Sequence, residues 1–216
     1  MSIIQKIAIG AIPVLFAITL HEVAHGRVAK YFGDTTAAAR GRLSLNPIKH
    51  IDPIGTILVP IILILSIGVG FGWAKPVPVN FNYLRNPKRD MIWVAAAGPF
   101  ANLVMAFFWA FVMKIGIVIS SQSEWIAVPM ILMGQVGIIV NLLLLLLNLL
   151  PIPPLDGGRI LAGLAPVRFS YALAKIEPFG MFIIFGLLLM GYLWLILKPP
   201  LQFMSALIGR LFGIPI

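Results

Sequence analysis

The chain has 216 residues, 60% of them hydrophobic and only 11% charged, where soluble domains run at about 45–50% apolar and about 25% charged. An ordinary soluble globular protein is excluded. The 16 Lys and Arg against 7 Asp and Glu give a formal charge of +9, but they lie between long apolar runs and not on a basic face with interleaved aromatics. That distribution excludes a nucleic-acid binder and points to membrane topology. Cysteine is absent, so a disulfide framework, a thiolate metal site and a cysteine nucleophile are excluded too. Any metal must be held by His, Asp or Glu.

Five segments are long and apolar enough to be membrane helices, against a requirement of about 20 residues. The first, Ile7 to about Ala24, runs into HEVAH without an A-x-A-like cleavage site, so it is expected to stay in the mature protein. Ile54–Gly70 is marginal in length, and Met91–Met113, Trp125–Leu150 and Phe179–Leu197 follow. A sixth stretch, Leu201–Ile216, contains Arg210 and ends in Gly-Ile-Pro-Ile, as either a short interfacial helix or an imperfect last span. No internal repeat or soluble linker interrupts the chain. The expectation is an all-α polytopic membrane protein of five or six transmembrane helices. It forms a single domain over residues 1–216, with core helices at about 7–25, 91–113 and 125–150.

The connections differ in charge. Arg27, Lys30, Arg40, Arg42 and Lys49 follow the first helix, Lys75, Arg85, Lys88 and Arg89 precede the third, and Arg159, Arg168 and Lys175 follow the fourth. The Lys114 to Glu124 connection carries one basic residue. The positive-inside rule puts the basic connections in the cytoplasm and the amino terminus outside. A complete crossing by Ile54–Gly70 would then strand Arg85 to Arg89 on the wrong side. A re-entrant, strand-like hairpin built from GVGFGWAKPVPVN, at about residues 71–82, removes the conflict and requires a protein-lined or water-filled cavity at membrane depth.

His21, Glu22 and His25 form HExxH at the end of the first helix. A spacing of four puts both imidazoles one turn apart on one helix face, where they can chelate one Zn²⁺, and the Glu can take a proton from water at the metal. Three ionisable groups clustered on an apolar helix are costly without a ligand. Catalytic zinc takes three protein ligands, and the chain offers two candidates for the third. His50, in NPIKHIDPIGT, is the one remaining histidine; Asp156, in NLLPIPPLDGGRI, ends the long fourth helix. Topology favours Asp156, since the carboxyl ends of the first and fourth helices meet at one depth if they run in the same direction. A turn role is the competing reading, because Asp-Gly is itself a turn signal.

HEVAHGRVAKYFGD, LNPIKHIDPIGT, GFGWAKPVPVN, AAAGPFANLVMA and NLLPIPPLDGGRIL, in this order, resemble the site-2 protease family, zinc metalloproteases that cut substrates within the membrane. The resemblance implies that His21, His25 and Asp156 bind one Zn²⁺ per chain and that Glu22 is the general acid/base. It also implies that Asn148 steadies the tetrahedral intermediate, where an interhelical hydrogen bond is the plainer role for such an Asn. This is the compact form, without the PDZ domain or CBS pair that some members carry.

The expected activity is intramembrane endopeptidase cleavage of transmembrane protein or peptide substrates, in a lipid bilayer, with no nucleic acid partner. The location is a prokaryotic plasma membrane, with the active site toward the cytoplasmic side. A zinc-binding transporter or scaffold is the alternative, but a transporter should spread ligands along several spans. In WAKPVPVN, Pro76 and Pro78 lack donors on one edge of an extended strand. Val77 and Val79 keep theirs on the other and are the candidate substrate-binding residues. Asn102 and Asn141 are expected to make interhelical hydrogen bonds, Gly98 and Pro99 to serve packing, and Arg159 to anchor a helix end.

Overall fold

The computed structural model describes residues 3–67 and 72–216. Helix α1 (Ile3–Tyr31) is apolar as far as the HExxH motif and turns polar after it. It stops where Gly33 takes φ +113°, a left-handed conformation that only glycine adopts without strain. A one-turn helix α2 (Thr36–Ala39) and short 3-10 and π turns at Pro47–His50 and Pro53–Leu58 lead into α3 (Val59–Ile67). Residues 68–71 lie outside the described residues. The end of the expected Ile54–Gly70 span and the start of the expected re-entrant segment fall there.

Helix α4 (Pro87–Ile119) opens with a proline in its first turn, where a missing N–H costs nothing. Asp90 folds back to accept the Asn86 N–H at 2.8 Å. Its 33 residues span about 50 Å, more than the roughly 30 Å of bilayer hydrocarbon. Helix α5 (Glu124–Asn148) returns antiparallel along it, and the bend Leu149 to Leu155 carries the chain into the short α6 (Asp156–Leu164). Helices α7 (Val167–Leu189) and α8 (Tyr192–Phe212) complete the chain.

The helices α1, α4 and α5 pack on one another, α6 seats on α4, and α8 closes against α5 and α7. The largest buried cluster lies between α4, α5 and α8 and includes Trp109, Met113, Ile138, Leu142 and Ile208. The outward faces are apolar as well: Phe100, Phe108, Phe111, Phe182 and Leu195 are exposed. In a chain with this composition, that is a lipid-facing surface.

Four helices among the described residues are long and apolar enough to cross a membrane: Ile9–Tyr31, Pro87–Ile119, Glu124–Asn148 and Val167–Leu189. Several boundaries differ from the sequence expectation: α1 runs on to Tyr31 and not to about Ala24, α4 covers Pro87–Ile119 and not Met91–Met113, and α7 starts at Val167 and not Phe179. The stretch Phe179–Leu197 is not one helix: Gly191, at φ +77°, ends α7, and α8 then runs on through Pro199 and Pro200 into the stretch expected to be separate. Helix α8, which carries Lys198, Pro199, Pro200 and Arg210, is not among these four. No regular strand occurs among the described residues; residues 72–80 carry no regular secondary structure and are held by scattered hydrogen bonds.

Candidate metal centre and active site

Three buried side chains converge beside the last third of α1. Nε2 of His21 and Nε2 of His25 are 3.0 Å apart, and Oδ2 of Asp156 lies 3.3 Å from each. Both imidazoles are turned so that Nδ1 is used elsewhere: His21 Nδ1–H donates to Oδ1 of Asn102 at 2.6 Å, and His25 Nδ1–H donates to the carbonyl of Val94 at 2.7 Å. In the neutral imidazoles each Nε2 is then a bare lone pair, and Asp156 Oδ2 is a buried oxygen with no hydrogen-bond partner. Three electron-pair donors facing one another without a proton between them are costly unless a cation joins them. For ligands at about 2.0–2.1 Å, the edge of a tetrahedron around Zn²⁺ is about 3.3–3.4 Å. The two edges to Asp156 have that length and the edge between the imidazoles is slightly shorter, so the residues fit zinc.

The second layer comes from α4. Asn102 reaches His21, the carbonyl of Val94 reaches His25, and Gly98 lies between them on the facing turn. A Cβ at Gly98 would run into Nε2 and Cε1 of His25 and into the His21 ring. The packing role expected for Gly98 is thus against the two imidazoles themselves.

Asp156 is delivered by the bend Leu149 to Leu155, which contains a cis Pro153–Pro154 bond. It sits in the first turn of α6, where a carboxylate is favoured by the helix dipole. Gly157 lets α6 start directly on that bend, since a Cβ there would strike the carbonyls of Leu149 and Leu150. The Asp-Gly pair thus makes a tight turn and at the same time presents a carboxylate to the two imidazoles.

Glu22 is half-buried, and its Oε2 accepts the N–H of Val77, in residues 72–80, at 2.7 Å. That segment is fastened along its length. The N–H groups of Trp73 and Lys75 donate to the carbonyls of Gly55 and His50, both at 3.0 Å. Arg42 Nη2 donates to the carbonyls of Lys75 and Pro76, at 2.8 and 3.3 Å. At the far end the buried Asp34 accepts the Asn80 N–H at 2.7 Å and the N–H and hydroxyl of Thr36. Burial opposes ionisation of Asp34, but these three donors outweigh it and hold the carboxyl below its ordinary value of 3.8.

The remaining sequence candidates are placed as follows. Asn148 is half-buried at the end of α5 and donates Nδ2–H to the carbonyl of Leu144 at 2.9 Å. Val79 packs on a cluster of Ala29, Leu84 and Val94. His50 is not part of the His21, His25 and Asp156 group; it is buried in its own turn with Nε2 on the Ser44 carbonyl at 2.8 Å. Arg159 lies over the Phe81 ring at 5.4 Å, a cation–π contact. Sequence reasoning missed the ties of Asn102 to His21 and of Arg42 and Asp34 to residues 72–80. Only for Asn102, a buried amide in an apolar helix, did the sequence carry a signal.

The comparisons with known proteins bear on the same residues. The model of the family described as Peptidase family M50 matches residues 111–191, the part of the chain that carries Asn148 and Asp156. The "Putative zinc metalloprotease YwhC" of Bacillus subtilis (strain 168) is 41% identical over 177 residues, covering 81% of this chain and 76% of the relative. This chain belongs to peptidase family M50. The "Putative zinc metalloprotease Rip2" of Mycolicibacterium smegmatis is 32% identical, over 81% of this chain and 64% of the relative. That of Mycobacterium tuberculosis H37Rv is 30% identical, over 77% and 61%. The chain thus spans under two thirds of the Rip2 proteins. No solved structure matches it significantly. As an M50 peptidase with lipid-facing helices and a His-His-Asp group, the chain is an integral membrane zinc metalloprotease of the site-2 protease type.

Proposed function

We propose that this M50 protease hydrolyses peptide bonds of transmembrane protein or peptide substrates. His21, His25 and Asp156 hold one Zn²⁺, Glu22 moves the proton, and Asn148 stabilises the oxyanion. The observation that carries the reading is the buried Asp156 Oδ2, without a hydrogen-bond partner and 3.3 Å from the Nε2 atoms of two imidazoles whose Nδ1 atoms are engaged elsewhere. When bound there, zinc supplies a Lewis acid and acidifies water at its open position.

The chain's own residues supply the rest. Glu22 is fixed at Oε2 by Val77, which leaves Oε1 to accept the proton of the attacking water and return it to the leaving amine. Asn148 gives one Nδ2–H to Leu144 and retains a second for the developing oxyanion.

A helical peptide bond is shielded by its own hydrogen bonds, so the substrate must be presented in extended form beside residues 72–80. Val77 and Val79 lie on the edge that keeps its donors. Trp73, Lys75 and Val77 already spend their N–H groups on the enzyme. Val79 is then the donor for substrate in the resting arrangement, and Val77 serves it only after leaving Glu22. The finer architecture goes with this reading: one domain of five or six spans with a re-entrant hairpin at about residues 71–82, in a prokaryotic plasma membrane with the site toward the cytoplasm. The basic ends of α1 and the start of α4 support that orientation.

The test is Glu22→Gln. It should keep zinc and abolish cleavage of a transmembrane reporter in the same detergent preparation, whereas a zinc scaffold or transporter would lose nothing measurable in its metal binding or stability.

A further inference from the structure

The carboxamide of Asn102 is wholly buried and has three partners. Oδ1 accepts from His21 Nδ1, and Nδ2 donates to the Ala17 carbonyl at 3.3 Å and to Oδ1 of Asn141 at 3.0 Å. Asn141, also wholly buried, is in turn oriented by donating its own Nδ2–H to the Gly137 carbonyl at 2.8 Å. The chain of bonds runs from α5 through α4 to α1 and ends on a zinc-site imidazole. Its polarity is forced. Gly137 O can only accept, so Asn141 must turn Oδ1 toward Asn102, and Asn102 must then turn Nδ2 toward Asn141 and Oδ1 toward His21.

An oxygen at that position demands a proton on His21 Nδ1 and so strips Nε2 bare. The opposite amide orientation would present N–H to Nδ1 and place the proton on Nε2, a tautomer that cannot bind metal. We infer that Asn102 and Asn141 are positioning residues that hold His21 in its zinc-binding tautomer, with Asn141 acting solely through Asn102. This rests on the zinc protease reading above and deepens it. Neither residue touches the metal triangle.

The experiment measures zinc affinity of the purified full chain by competition with a chromophoric chelator, which needs no turnover. Partners one layer out from a metal typically change affinity by about 10–100-fold when removed. Asn102→Leu should weaken zinc by about that much. Asn141→Ala should weaken it less, about 3–10-fold, and should add nothing in the Asn102→Leu background, since its effect passes through the residue already removed. Asn102→Asp keeps an acceptor for His21 and, protonated at its other oxygen in this buried place, a donor for Asn141 Oδ1; it should restore affinity to within about threefold of wild type.

Wild-type affinity in Asn102→Leu, additive losses in the double variant, or a loss in Asn102→Asp as large as in Asn102→Leu would each overturn the inference. Where the apolar variants fail to fold, Asn102→Asp is read against wild type alone, and a loss of about tenfold or more overturns the inference. Absence of stoichiometric zinc from the wild type would instead overturn the underlying protease reading.

Discussion

The amide of Val77 donates to Oε2 of Glu22 at 2.7 Å, which ties residues 72–80 to the carboxylate beside the first zinc-site histidine. A hydrogen bond to a charged group is worth about 1.5–3 kcal/mol. Val77→Pro deletes this donor without touching the metal triangle. Cleavage of a transmembrane reporter should fall about 10–100-fold while zinc content stays at the wild-type level. Pro78→Ala, on the other edge, serves as the control and should cleave normally. Unchanged cleavage in Val77→Pro would show that Glu22 does not depend on this contact.

Gly98 gives a prediction in which two effects oppose each other. Replacing it by Ala raises helix propensity by up to about 1 kcal/mol, yet the new methyl meets both zinc-site imidazoles. Overpacking typically costs about 1–3 kcal/mol, and here the cost falls on the rings that must converge. Gly98→Ala should therefore retain its helical circular dichroism while losing most of its zinc, read by metal analysis. Full zinc occupancy would mean the rings have room to move.

The buried Asp34 makes stability depend on pH in a defined direction. Its carboxyl is held below the ordinary 3.8 in the folded protein, so the stability it contributes is present above about that pH. It is lost as pH falls further, through the depressed folded value. Asp34→Asn should lower the melting temperature in detergent at pH 7, and the gap to wild type should close as pH falls below about 4. A gap that stays constant to pH 3 would contradict the assigned donors.

Metal removal should act through Asp156. Zinc that binds only the folded state stabilises it by mass action. A strong chelator should lower the melting temperature of wild type and leave that of Asp156→Ala unchanged. Equal shifts in the two proteins would place the metal elsewhere.

These residues also show what was legible in the sequence. HExxH could be read because a helix converts a spacing of four into a shared face, and Asp156 could be ranked over His50 because two helix ends meet at one depth. The all-helical membrane architecture followed from apolar run lengths. The break at Gly191 was missed, since a glycine inside an apolar run gives little warning that it will take a left-handed conformation, whereas Pro199 and Pro200 gave a false one. Arg42 and Asp34 were unreadable because their partners are backbone groups at positions 75, 76 and 80, and no pattern of side chains records such a pairing. Asn102 and Asn141 were correctly expected to bond between helices, but that the line ends on His21 depends on how α1 and α4 are rotated against each other.

The central claim, a zinc site made by His21, His25 and Asp156, is tested most directly by metal content. Wild type, Asp156→Ala and His50→Ala are purified in detergent, and transmembrane-reporter cleavage is followed in the same preparations. The account predicts one zinc per chain in wild type and in His50→Ala, with zinc and cleavage lost together in Asp156→Ala. Zinc lost with His50 but kept without Asp156, or no zinc in metal-replete wild type, would contradict it.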